Sequence, residues 1–199
     1  MELIEKILNL YLSFTDVINF HIYKFSIAFT LISIFWIAFI GIITPLLIIS
    51  VMAFGYYGIV VILISIILAS IINFFMVIKT KRVIKKIQNK KPIISKEPFL
   101  MFIIFRMIPG IPYLIKNLSV FFFKLNLKKF LLAVVIADTP QIIIFTFFFK
   151  RLIDSSNQFI ITKDFNGIFE QMYLPTLILV IFILVILFLK KKKSIFYKK

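Results

Sequence analysis

The stretch FLMFIIFRMIPGIPYLIKNLSVFFF, residues 99–123, decides how this chain is built. It is apolar enough for a bilayer, yet it carries Arg106, Lys116 and the prolines Pro109 and Pro112. An intramembrane charge costs about 2.5–3.5 kcal/mol on insertion scales. Each proline also removes a backbone donor that lipid cannot replace. A simple crossing helix is therefore a poor reading. The segment is tolerable where protein or a water-filled cavity surrounds it, which makes it the first candidate for a functional site.

The rest of the chain has membrane composition: 62% of its 199 residues are hydrophobic, 26 are Phe, and the mean hydropathy is +1.08. Soluble domains hold about 45–50% apolar residues. The formal charge of +16 sits beside the apolar runs, not in an aromatic-interleaved groove. It is better explained by orientation and by anionic lipid headgroups at the cytoplasmic face than by nucleic acid. The chain has no cysteine, which excludes disulfides, thiol catalysis and cysteine metal sites. Its start, MELIEKILNLYLSF, has Glu2 and Glu5 where a signal peptide is basic, so it reads as retained. Residues 1–24 form an N-terminal segment of weakly amphipathic character.

No charged residue occurs between Lys24 and Lys79. That run is too long for one crossing of about 20 residues and awkward for two. The spacing predicts a span over 25–43, a re-entrant element near 45–55 with Pro45 at its start and Gly55 and Gly58 at its turn, and a second span over 57–78. The segment KTKRVIKKIQNKK, residues 79–91, has seven basic residues and no acid, and is cytoplasmic by the positive-inside rule. If 99–123 is re-entrant as well, then Lys124, Lys128, Lys129 and the basic tail 190–199 fall on the same side as 79–91. If it crosses, they fall outside. The re-entrant reading follows, with a span over 130–149, an external loop at 151–172 and a last span over 173–189. The expected fold is all-α, a polytopic integral membrane protein with two opposed re-entrant hairpins inside a core of residues 25–150. Both termini are expected to be cytoplasmic and the cell membrane is the default location. Homo-oligomer formation is compatible with this composition.

Four side chains stand out as headgroup ligands. Arg106 can hold a phosphate bidentately through its planar fork. Lys116 offers a point charge, and Tyr113 and Asn117 offer hydrogen bonds. Against this, Lys116 can snorkel to the interface and Arg106 can pair internally. Asp138 is the sole acid within a spanning segment, followed by Pro140, which should kink its helix. Asp138 either pairs with Arg106 or titrates and couples transport to protons. There is no Gly-rich phosphate loop, HExxH or GxSxG, and no intramembrane acid pair for a metal. A non-enzymatic protein without cofactor or metal is expected.

RMIPGIPYLIKN (106–117) and LKKFLLAVVIADTP (127–140) resemble the DedA superfamily, most closely its SNARE-associated Golgi protein, or VTT-domain, branch. Arg106, Pro109, Pro112 and Asn117 match its motif in order, followed by Lys128, Lys129, Phe130 and Pro140. The Pro45 segment with Gly55 and Gly58 is similar to its first re-entrant. The resemblance covers roughly residues 40–150. It implies two facing re-entrant hairpins and passage of a phospholipid or polyprenyl-phosphate headgroup between leaflets, as by a scramblase or flippase. The acid typical of the bacterial first re-entrant has no counterpart near Pro45, which points away from proton coupling. Two other readings stay open: a proton- or ion-coupled transporter of a small anion with Asp138 as the titrating group, and a non-transporting scaffold that works through its basic faces.

Overall fold

A computed structural model describes residues 22–79, 97–108, 110–162 and 166–196, and all regular structure among them is helical. The helices are α1 (Ile22–Phe39), α2 (Thr44–Phe54), α3 (Gly58–Lys79), α4 (Pro98–Met107), α5 (Tyr113–Leu118), α6 (Leu127–Thr162) and α7 (Asn166–Phe196). One-turn 3-10 segments join α2 to α3 at Gly55–Tyr57 and extend α5 over Ser119–Phe121. Their lengths divide them. At roughly 1.5 Å per residue, α3 is about 33 Å long, enough for a hydrocarbon core of about 30 Å, whereas α2 and α4 reach only about half of it.

The short helices belong to hairpins. α1 stops at Phe39 because Gly41 takes φ +78°, a conformation that L side chains rarely adopt. The Trp36 carbonyl accepts the amides of Ile40 (2.8 Å) and Gly41 (3.1 Å), and the Trp36 indole donates to the Ile42 carbonyl (2.8 Å). Pro45, in the first turn of α2, needs no helical donor and starts the return. The returning Phe54 packs its ring 5.6 Å from those of both Phe25 and Phe29, so α2 ends beside the start of α1. The chain then reverses again at Gly55 (φ +56°). A Cβ at Gly58 would stand 2.8 Å from the Ser50 carbonyl oxygen, which places α3 antiparallel to α2 at close range. By length and composition Thr44–Met76 qualifies as one span, but this approach shows that it is two helices folded together.

The second hairpin mirrors the first. α4 starts at Pro98, the chain breaks at 108–112, and α5 returns, so that Phe123 packs against Phe102 (5.4 Å) and Phe105 (6.3 Å) of α4. α6 leaves from the same end, with Phe130 near Phe102 (5.8 Å) and Phe74 (5.6 Å). It runs to the opposite end, where Lys150 meets Gly55. α3 and α6 therefore lie antiparallel along the length of the molecule. α7 packs back along α6 and touches α4.

Three helical stretches among the described residues are long and apolar enough to cross a membrane: Ile22–Phe39, Thr44–Met76 and Leu127–Asn157. Large apolar side chains such as Ile27, Leu31, Phe35, Leu132 and Ile136 remain exposed along them, as expected where lipid is the solvent.

The span expected over 25–43 falls largely on α1, which is long and apolar enough to cross. The reversal at Gly41 returns the chain through α2 to the Gly55 end, beside the start of α1. One expectation is corrected. Residues 151–172 are mostly helix, over 151–162 and again from Asn166. The placement of charges that puts this segment outside does not require a loop: a Lys150–Asp154 ion pair one turn apart and the Ser156 hydroxyl donating to the Leu152 carbonyl (2.8 Å) sit within the extended helix. The helix continues through Pro140. The N-terminal segment to residue 21, most of the basic run 79–91 and the tip of the tail at 197–199 lie outside the described residues.

Single-cysteine variants test this arrangement against a background with no native cysteine. Tyr23→Cys and Tyr57→Cys, at positions 82% and 79% exposed, should react with an impermeant maleimide added from one side. Lys124→Cys should react only from the other. Labelling of Tyr23→Cys and Tyr57→Cys from opposite sides would rule out the first hairpin.

Candidate functional site: a buried cation cluster between two hairpin tips

Arg106 sits in the last turn of α4 with 0% of its surface exposed. Its guanidinium is hydrogen-bonded from two elements, one of them braced by a third. One nitrogen donates to Asp138 Oδ2 of α6 at 2.5 Å. Another donates to Asn117 Oδ1 of α5 at 2.8 Å. Ser70 of α3 donates to the same Asn117 oxygen at 3.1 Å. The rings of Phe102, Tyr113 and Phe130 surround the guanidinium carbon at 5.7–5.8 Å, where their negative faces favour a cation. Gln141 of α6 donates to the Arg106 carbonyl at 3.1 Å, satisfying a group that the end of α4 leaves open. Asp138, also 0% exposed, neutralises Arg106. Four polar atoms in and beside this cluster are buried without a partner: Arg106 Nε, Asn117 Nδ2, Asp138 Oδ1 and, on α3, Asn73 Nδ2.

Next to the pair, the two hairpin tips touch. The amide of Tyr113 donates to the Gly41 carbonyl at 2.6 Å. A Cβ on Gly41 would stand 2.6 Å from the Leu114 nitrogen, so only glycine fits between the tips. A cavity of about 160 Å³ opens where the tips meet α6, bordered by Gly41, Thr44, Pro112, Tyr113, Lys116 and Gln141, with Ile142 and Phe145 completing an apolar wall. That volume is close to that of a roughly 150 Å³ engineered cavity that binds benzene, so a phosphate-sized group fits.

Lys116 is the charged residue on the cavity wall. It is 2% exposed and its ammonium lies 4.9 Å above the Tyr113 ring. Among the described residues it has no ion-pair partner. The N-terminus of α2 faces the same space through Thr44, and no side chain caps it. A helix N-terminus carries about half a positive charge. An unpaired ammonium and an uncapped helix start on one small cavity form an anion-binding arrangement.

A family profile for the VTT domain matches residues 40–151, more than half of the chain. The chain belongs to the VTT-domain family. This is the domain of the DedA and SNARE-associated Golgi proteins, a membrane-associated family often linked to transport. No curated protein and no solved structure gives a significant match.

The matched VTT region contains α2, α3, the second hairpin, most of α6 and the whole cation cluster, while α1 precedes it. Of the expected ligands, Tyr113 and Lys116 line the cavity, while Arg106 and Asn117 lie behind it, bonded to each other. The predicted hierarchy, with Arg106 as the principal phosphate contact, changes for a physical reason: the Arg106 fork is already occupied by Asp138 and Asn117. Pro45 starts α2, Gly55 makes the reversal, Gly58 allows close packing on Ser50, and Pro112 is the N-cap of α5. Pro109 lies outside the described residues. Gly41, Thr44, Ser70, Asn73 and Gln141 were not picked out as site residues. Ser65, Ser70 and Asn73, the polar interruptions of an otherwise apolar α3, are the signal that marks its buried face.

Asp138→Asn leaves a buried guanidinium without a counter-charge and should destabilise the fold by about 3–5 kcal/mol. The double variant Arg106→Met/Asp138→Leu should lose clearly less than the sum of the single variants. Thermal unfolding in detergent measures both, and additive losses would show that the pair does not act as a unit.

Proposed function

We propose that this VTT-domain protein moves lipid headgroups between leaflets, with α3 and α6 crossing the bilayer and the two hairpins entering from opposite faces as re-entrant elements. The observation that carries this reading is Lys116, buried and without an ion-pair partner among the described residues, on a cavity where the hairpin tips meet. A bare phosphate entering hydrocarbon pays a prohibitive desolvation cost. A fixed ammonium and a helix N-terminus at the point where the hairpins meet lower that cost, while the acyl chains stay in lipid. The inverted hairpin-plus-long-helix pattern is the kind of repeat whose broken helices line transport sites.

Lys116 takes the phosphate in this reading, Tyr113 shields the ammonium from lipid, and the Gln141 amide stays committed to the Arg106 and Ala137 carbonyls. Arg106 and Asp138 hold α4, α5 and α6 in register, so Arg106 is a positioning residue. With its carboxylate committed to Arg106 and its surface closed, Asp138 serves better as a counter-charge than as a proton carrier. Lys79, Lys124, Lys128 and Lys129 belong to the same end, which we read as cytoplasmic by the positive-inside rule. α7 returns the C-terminal basic residues to it, where they meet anionic headgroups in the cell membrane.

Leaflet exchange in proteoliposomes tests the reading with fluorescent phospholipids and dithionite. Wild-type protein should expose the inner-leaflet label, and Lys116→Gln should slow this about tenfold, the factor that roughly 1.4 kcal/mol of barrier represents. Lys116→Arg should keep most of the rate. Quenching confined to the outer leaflet for wild type removes the reading.

A further inference from the structure

Resting on that transport reading, we propose that the site selects lipids by phosphate charge: it accepts phosphodiester lipids and rejects phosphomonoester lipids such as phosphatidic acid or a polyprenyl phosphate. Three formal charges are buried together. Arg106 and Asp138 cancel across their 2.5 Å contact. Lys116 remains, and the described residues on the cavity wall include no other cation and no carboxylate. The one further titratable group there, Tyr113, is neutral as a phenol. The site therefore offers one formal positive charge, beside the partial charge of the α2 N-terminus.

A phosphodiester carries a single negative charge and brings the occupied site to neutrality. A phosphomonoester has a second pKa of about 6 and carries about −1.5 to −2 at neutral pH. It leaves negative charge uncompensated in an apolar cavity, close to the Asp138 carboxylate. The Arg106 fork cannot turn to meet it without releasing both Asp138 and Asn117. The committed amide of Gln141 and the hydroxyl of Thr44 add no second charge. The wall also lacks an acid to hold a choline or ethanolamine, so discrimination rests on the phosphate and not on the group esterified to it.

Phosphatidylmethanol and phosphatidic acid with identical fluorescent acyl chains differ by one methyl group and one ionisation. They are compared in proteoliposomes at about pH 7, above the monoester's second pKa of about 6, with protein-free vesicles as the baseline. Phosphatidylmethanol should exchange at least about tenfold faster, since one uncompensated charge in a low-dielectric site exceeds that difference. Thr44→Lys places a second cation at the exposed mouth of the cavity, away from the buried pair, and should bring the ratio toward unity. Lys116→Gln should slow phosphatidylmethanol toward the baseline. Equal wild-type rates for the two lipids overturn the charge selection while leaving transport intact, and so does an unchanged ratio in Thr44→Lys. If both lipids stay at the baseline, the transport reading fails and takes the selection with it.

Discussion

The contact between the Arg106 guanidinium and the Asp138 carboxylate is the constraint on which the rest of the core depends. It joins α4, too short to cross, to α6, long enough to do so. Through Asn117 it also reaches α5, and through Ser70 it reaches α3. A buried ion pair of this kind need not add net stability, because desolvation opposes the attraction. What it provides is register. Either partner left alone in an apolar interior is expensive, so the tip of the second hairpin sits where the two charges meet.

Around that point the chain repeats one motif in opposite orientations. A helical hairpin enters from one end and is followed by a long helix that runs the length of the molecule. The two tips come close enough for the Tyr113 amide to reach the Gly41 carbonyl, and Gly41 has no side chain because Leu114 occupies the space. Breaking helices inside an apolar body exposes backbone donors, which elsewhere would be capped by side chains or water. Here the start of α2 has no side-chain cap and borders a cavity. The structural break and the anion-binding chemistry are thus one feature.

The two cations divide their work by position. Arg106, with five donors and a planar fork, is consumed by two side-chain acceptors and three rings. Lys116, a point charge on a flexible stem, is left with the Tyr113 ring and open space. The sequence names both residues and the neighbours Tyr113, Asn117 and Asp138, since a charge or a strong dipole inside an apolar run is conspicuous. It does not rank them. Which cation spends its charge inside the protein depends on which carboxylate lies within reach, and Asp138 is 32 residues from Arg106 along the chain.

Composition, charge-free length and proline position alone determined that the chain is helical, lives in a membrane and carries broken apolar segments near Pro45 and around Arg106. These follow from one-dimensional constraints: backbone donors must be satisfied in lipid, and prolines and charges break a crossing helix. Helix continuation through 151–162, the reversal at Gly41 and the meeting of the two tips were decided only in three dimensions. A glycine in an apolar run shows no hydropathy signal, and its need for φ +78° arises from the backbone that packs against it. The cavity and its unpaired lysine belong to the tertiary structure for the same reason, because they exist only where segments distant in sequence close on one another.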